Sequence, residues 1–425
     1  MKSIKLKKMD EQIYYHKLKN GLEIYLYTKD TINNNYVTFT TKFGSIYNEF
    51  IPIEKNKMEK VPHGVAHFLE HKVFAQKEGP QPEEFFAQSG ALCNAYTTFK
   101  NTTYLFSCVS NLKENINYLL DYVQSPYFTK ENVKSEKGII TQEIHMCDDN
   151  PQDILYEHIR KNTFNQNPFK DSIIGTVEDI EEITEETLYT CYNTFYHPQN
   201  MFLVVTGNFN PNEIIRTIEE NQSKKEFPKF TGIKIKTITE KDKVSIKEEI
   251  IEHNTNISKI AYNIKISLKN INMSIRKYNI YLFIIFSLLF DESSSFDEKI
   301  KKEKIITNSL YINILNCDTH TLVSLVNETN NYNQLLERIK KELKNINISK
   351  EDFERKKKVL ISNEIFSFEN IEIINEMIID NIIYDNHIEN NMIGLLHSLT
   401  KEELDNIISN LNLSNNSIVI LKAKN

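Results

Sequence analysis

The sequence predicts an α+β fold built from two related units, each a mainly antiparallel sheet packed with helices. Three observations carry that expectation. At 425 residues the chain is longer than one simple hydrophobic core fills. The order of strand-like and helix-like stretches runs once through residues 12–220 and recurs from 244 onward. In both passes strand-like and helix-like stretches are interleaved, as versions of one α+β unit. The division expected is therefore residues 1–222, a polar and aperiodic linker at 223–243, and residues 244–425.

The elements follow in order. Asn20-Gly21 lies between apolar alternations over 14–27, a hairpin signal. Residues 36–43 read as a further strand. A helix follows over the histidine-rich stretch after Gly64, since no Gly or Pro interrupts the chain until Gly79. Residues 82–88 form a short helix, 91–96 and 102–109 paired strands, and 112–124 a helix. Thr129 caps a long helix reaching Met146, and Asn150-Pro151 caps and starts the next. A helix over 184–196, a buried strand over 201–207 and a helix over 211–220 close the first unit. In the second, 244–251 and 257–266 read as strands, 276–290 and 296–304 as helices, and 309–316 and 319–326 as strands. Residues 332–346 and 350–368 are long helices. A last helix and strand over 399–411 and 417–421 mirror the end of the first unit.

Composition excludes several classes. Hydrophobic residues at 40% and charged residues at 26% fit a globular protein. A net charge of −7 argues against nucleic acid as partner. Five scattered cysteines with no Cys-x-x-Cys pair suggest reduced thiols and a cytoplasmic setting. The basic first residues lead into no apolar segment, so no signal peptide is expected. The longest apolar run, 278–290, is too short to span a bilayer.

The chemistry sits in His67-Phe68-Leu69-Glu70-His71. On a helix, residues three and four apart share a face, so His67, Glu70 and His71 point the same way. Two imidazoles one turn apart bind one zinc ion, and a carboxylate between them sits beside the water that the metal acidifies. Chance would produce His-x-x-Glu-His fewer than about 0.04 times at this composition. A third ligand is needed. The long helix after Thr129 offers Glu136 and Glu143, seven residues apart and on one face. Spacing alone leaves open which one ligates, and whether both are solvated surface charges. The second unit has the apolar stretch 282–290 where the first has its histidines, so only the first unit is expected to hold a metal.

Several segments together resemble the pitrilysin, insulysin and mitochondrial processing peptidase family, the inverzincin metallopeptidases. Gly64-Val65-Ala66-His67-Phe68-Leu69-Glu70-His71 resembles its metal helix. Asn94-Ala95-Tyr96-Thr97, with Thr103 and Tyr104, resembles the strand after that helix. Glu136 to Glu143 resembles the helix carrying the distal ligand. Phe195-Tyr196-His197-Pro198-Gln199-Asn200-Met201 and Val204-Val205-Thr206-Gly207-Asn208 resemble the close of the first domain. The wording of Phe68 to Phe74 and Met146 to Pro151 is nearest a Gram-positive branch of processing-peptidase-like subunits. The resemblance covers residues 12–220 well and the remainder in outline.

What the resemblance implies is specific. His67, His71 and Glu143 ligate one Zn2+ per chain. Glu70 is the general base and then acid, and Glu136 supports the site as a further catalytic carboxylate. Asn94 and Ala95 bind peptide on an edge strand by main-chain hydrogen bonds. The two domains form one half of a clamshell, and the activity is endopeptidase cleavage of small or unstructured peptides inside a chamber. The family often carries an Arg and a Tyr, seven residues apart, in its second domain. The comparable stretch here, 296–307, has no Arg. Lys301 offers charge there but no bidentate fork. The expected partner is a related, inactive sister subunit that supplies the pair in a heterodimer. The alternative is a catalytically silent structural subunit of such a complex; a scaffold has no use for Glu70. His63, His145 and His197 are not assigned as ligands.

Overall fold

In the computed structural model, which describes residues 1–53 and 55–424, Asn20 and Gly21 turn the chain between strands Glu11–Lys17 and Glu23–Thr28. Gly21 takes φ +92°, a conformation that side chains beyond glycine avoid. This hairpin belongs to a seven-stranded sheet. Its order is Lys2–Leu6, Glu11–Lys17, Glu23–Thr28, Met201–Gly207, Asn35–Thr41, Thr102–Cys108 and Leu92–Thr97. All neighbours are antiparallel except Glu23–Thr28 and Met201–Gly207. The expected elements omit the outer strand Lys2–Leu6, which forms from the lysine-rich first residues. Lysines on an edge strand hinder pairing with other chains.

The second sheet has five strands, ordered Glu248–His253, Asn416–Ala423, Lys259–Ser267, His320–Glu328 and Tyr311–Asn316. Its first and last strands in sequence lie parallel and side by side; the other pairs are antiparallel. The first sheet, without Lys2–Leu6 and Glu11–Lys17, repeats this arrangement strand for strand. Both run first, fifth, second, fourth, third. The recurring element order thus reflects one topology used twice.

The contacts divide the chain into two units. One comprises Met1–Ile144, Ser172–Lys236 and Glu364–Ile393; the other comprises His145–Asp171, Thr237–Asn363 and Gly394–Asn425. Neither is contiguous, whereas the expected boundaries at 222 and 243 treat each half as continuous. Each unit takes one helix from the other half of the sequence. Helix Pro151–Thr163 covers the five-stranded sheet, and helix Ile371–Asp380 covers the seven-stranded one. The latter falls in 369–398, where no element is expected. Its apolar positions leave no clean polar stripe, and one of its buried residues is Asn375.

The seven-stranded sheet has apolar faces on both sides. One packs Ile24, Leu26, Val37, Phe39 and Phe106 with Phe68, Leu69, Leu119 and Leu188 from the helices. The other packs Tyr25, Tyr27, Phe202 and Val204 with Ile374, Ile378 and Ile382. Within the expected linker, Lys234–Ile235 adds a short strand beside Glu49–Ile51. Further along, Glu240 and Lys265 form an ion pair at 2.7 Å, both side chains fully covered. Among the described residues no helix is long and apolar enough to cross a membrane.

Candidate metal centre

The histidine-rich helix spans Val65–Val73 and starts at Gly64, whose φ is +78°. A Cβ there would meet Ile174 O at 2.3 Å, so glycine is required both by angle and by space. Every residue of the helix except His71 is buried. Phe68, Leu69 and Val73 enter the core, which fixes the rotation of the helix. The second contributor is helix Lys130–Asp149, entered through Thr129, whose Oγ1 accepts the N–H of Asn132 at 3.2 Å. It buries Val133, Ile140 and Ile144, and that seating sets the direction of Glu136 and Glu143.

The structure brings His67, His71 and Glu143 together: one ligand atom from each lies within 4.8 Å of the others. His67 Nε2 is 3.6 Å from one oxygen of Glu143, and His71 Nε2 is 3.6 Å from the other. The two rings are 4.6 Å apart, centre to centre. Among the described residues this is the one such group of His, Cys, Asp or Glu donors. Two imidazole nitrogens and one carboxylate oxygen form a donor set that suits zinc and leaves a fourth position open. Burial, with the neighbouring His71, lowers the pKa of His67 to about 3, so its ring is neutral as a ligand must be.

Glu136 is placed behind His71. Its Oε1 is 3.1 Å from His71 Nδ1, and its Oε2 accepts from Lys72 Nζ at 3.2 Å. Burial alone would raise the pKa of Glu136, but these two partners hold it below the usual carboxylate range. Burial lowers the pKa of His71, yet the hydrogen bond to Glu136 and the nearby carboxylates raise it on balance. Glu70 lies on the same helix and is buried. Burial raises its pKa, and a hydrogen bond from Thr97 Oγ1 at 2.6 Å opposes the rise.

Asn94 and Ala95 lie on strand Leu92–Thr97, which has a neighbour on one side only. The N–H of Ala95 bonds to Asn94 Oδ1 at 2.9 Å. A cleft of about 460 Å3 runs alongside, lined by Glu70, His71, Phe74, Cys93, Asn94 and Ala95 among others. Lys72 and Thr97 contact Glu136 and Glu70, and spacing does not reveal either, since neither forms a metal-ligand pattern. His63 lies outside the three-donor group, with its ring nitrogens 3.0 and 3.2 Å from Asn48 Nδ2. His197 accepts the N–H of Gln199 and bonds to Pro228 O. His145 is exposed.

Two family models match the chain. Residues 57–177 match "Insulinase (Peptidase family M16)", and residues 182–360 match "Peptidase M16 inactive domain". The first span contains His67, Glu70, His71, Glu136 and Glu143. A Bacillus subtilis protein described as an uncharacterized zinc protease, YmfH, is 42% identical over 298 residues, 69% of each chain. A crystal structure of an M16-like peptidase from Alicyclobacillus acidocaldarius superposes with a TM-score of 0.93 at 28% identity, covering 98% of this chain and 99% of that one. The periplasmic protease PqqL of Escherichia coli shares the fold at 16% identity and TM-score 0.75. The match spans 99% of this chain but 48% of PqqL.

Proposed function

The chain belongs to peptidase family M16, the insulinase family, and from that premise we propose that it is a zinc-dependent endopeptidase acting on small or unstructured peptides. The observation that carries the reading is the convergence of His67, His71 and Glu143 beside the buried carboxylate of Glu70. In this reading the three residues hold the zinc. When bound, zinc supplies a Lewis acid that polarises a peptide carbonyl and acidifies water.

The remaining roles fall to the chain itself. Glu70 takes a proton and returns it to the leaving amine. Glu136, kept ionised by His71 and Lys72 together, holds His71 by Nδ1 and so aims Nε2 at the metal position. Strand Leu92–Thr97 takes the peptide as an added strand through Asn94 and Ala95, displacing the bond that ties Ala95 N–H to the Asn94 side chain. The cleft beside it accepts substrate side chains.

A sister subunit completes the enzyme in this reading. Lys301, which offers charge in the stretch that lacks the family's Arg, is tied to Asp297 at 2.8 Å and Ser309 at 2.7 Å. The match to 48% of PqqL supports a chain that is one half of a working protease. Five cysteines with no disulfide among the described residues fit the reducing cytoplasm.

The test is cleavage of a quenched peptide library by wild type and Glu70→Gln, each with and without the sister subunit, with zinc measured in parallel. The expected result is one zinc per chain in both, and cleavage by wild type with its partner only. Wild type that binds zinc yet cleaves nothing with its partner favours the silent-subunit alternative.

A further inference from the structure

Glu70 is tied to an element other than its own helix. Thr97, the last residue of strand Leu92–Thr97, donates its hydroxyl to Glu70 Oε2 at 2.6 Å. A carboxylate has no proton to offer, so the direction of this bond is fixed. Thr97 is itself anchored. It pairs with Thr102 across the strands, and the two hydroxyl oxygens are 3.3 Å apart. Thr102 is fully buried and donates to Phe43 O at 2.9 Å. The chain of contacts thus runs from the sheet interior to one oxygen of Glu70. The other, Oε1, has no hydrogen-bond partner among the described residues.

Resting on the peptidase reading above, we propose that Thr97 is the positioning residue for Glu70: it binds Oε2 and thereby reserves Oε1 for the proton taken from water. A glutamate side chain turns about three bonds, and its carboxylate is free to rotate unless something fixes it. An O–H···O− bond of 2.6 Å is of the strong, charge-assisted kind. The anchor sits two residues beyond Ala95 on the strand proposed to take the peptide. Scissile bond and base are therefore registered to one backbone, without relying on the helix to place both. Such registration matters because small misplacements of a reacting pair cost large factors in rate.

The experiment compares Thr97→Val, which keeps shape and removes the hydroxyl, with Thr97→Ser, which keeps the hydroxyl and removes a methyl. Each is assayed with the sister subunit on a quenched peptide. Zinc content and melting temperature are recorded, and the chain alone is crystallised. A general base is worth about 100- to 10,000-fold, and losing its orientation forfeits part of that. The expected result for Thr97→Val is kcat lower by about 10- to 100-fold, with KM within about twofold and zinc unchanged. Thr97→Ser should return to within about threefold of wild type. In the Thr97→Val crystal the Glu70 carboxylate should leave its wild-type position. Thr97→Ala serves as the second hydroxyl-free variant should the valine chain not fold. The inference fails if Thr97→Val keeps its kcat, if Thr97→Ser falls as far as Thr97→Val, or if Glu70 stays in place in the valine crystal. Wild type that cleaves nothing with its partner would instead sink the peptidase reading, and cleavage retained by Glu70→Gln would sink the role of Glu70 as base; both are separable from a failure at Thr97.

Discussion

His71 gives its Nδ1 to Glu136 at 3.1 Å, and this orientation leaves its Nε2 3.6 Å from Glu143. One acid of the helix Lys130–Asp149 holds the ring while the other shares the donor group with it. Partners of this kind typically carry 10- to 100-fold in metal affinity. Glu136→Gln should therefore weaken zinc binding by about 10- to 100-fold in competition with a chelator. Lys72→Met should weaken it in the same direction by a smaller factor, since Lys72 reaches His71 only through Glu136. Equal zinc affinity in wild type and Glu136→Gln would contradict the arrangement.

Asn375 anchors the helix that covers the far face of the seven-stranded sheet. It is fully buried; its Oδ1 accepts from Thr38 at 2.7 Å and its Nδ2 donates to Tyr36 O at 3.2 Å. Replacing it with leucine strands these partners without water, at about 1–3 kcal/mol. Urea unfolding should show a loss of that size for Asn375→Leu. The exposed neighbour Glu372 changed to Gln should stay within about 0.5 kcal/mol of wild type.

The exchanged helices make a prediction about fragments. Residues 1–236 alone lack Ile374, Ile378 and Ile382, which pack on Tyr25, Tyr27, Phe202 and Val204. That fragment should be expanded and bind a hydrophobic dye, with no cooperative melting. Co-expression with residues 237–425 should restore a cooperative transition. A sharp, wild-type melt of the fragment alone would show that the helix is dispensable.

Glu240 contributes to the acid sensitivity of the second unit. Burial would raise its pKa, but Lys265 and the N–H groups of Asn165, Gln166 and Asn167 lower it from 4.5 to about 2. A folded-state value below the unfolded one stabilises the fold fully above pH 4.5, and this contribution is lost as the pH falls toward 2. Glu240→Gln should flatten the stability change over that range. At neutral pH it should cost about 1–3 kcal/mol, because Lys265 loses its counter-charge but keeps the carbonyls of Thr163, Lys241 and Lys243. Urea midpoints across pH for the two proteins check both points.

Much of this was legible in residue order. The hairpin at Asn20-Gly21, the Thr129 and Asn150 caps and the strand Met201–Gly207 are local signals, and the structure carries them. The His67-to-His71 spacing places three side chains on one helix face before any fold is known. Spacing could not choose between Glu136 and Glu143, because each lies on the same face; their distances to the two rings differ only once the helices are packed. Nor could it show that Ile371–Asp380 belongs with a sheet more than 160 residues earlier. Thr97 is a strand residue like many others until its hydroxyl is seen against Glu70.

The central claim is that one cation sits among His67, His71 and Glu143. Anomalous X-ray diffraction at the zinc edge, on crystals grown with one equivalent of zinc, tests it most directly. The account predicts a single peak bounded by His67 Nε2, His71 Nε2 and a Glu143 oxygen, absent in crystals of Glu143→Ala. A peak elsewhere, or none in wild type, would contradict it.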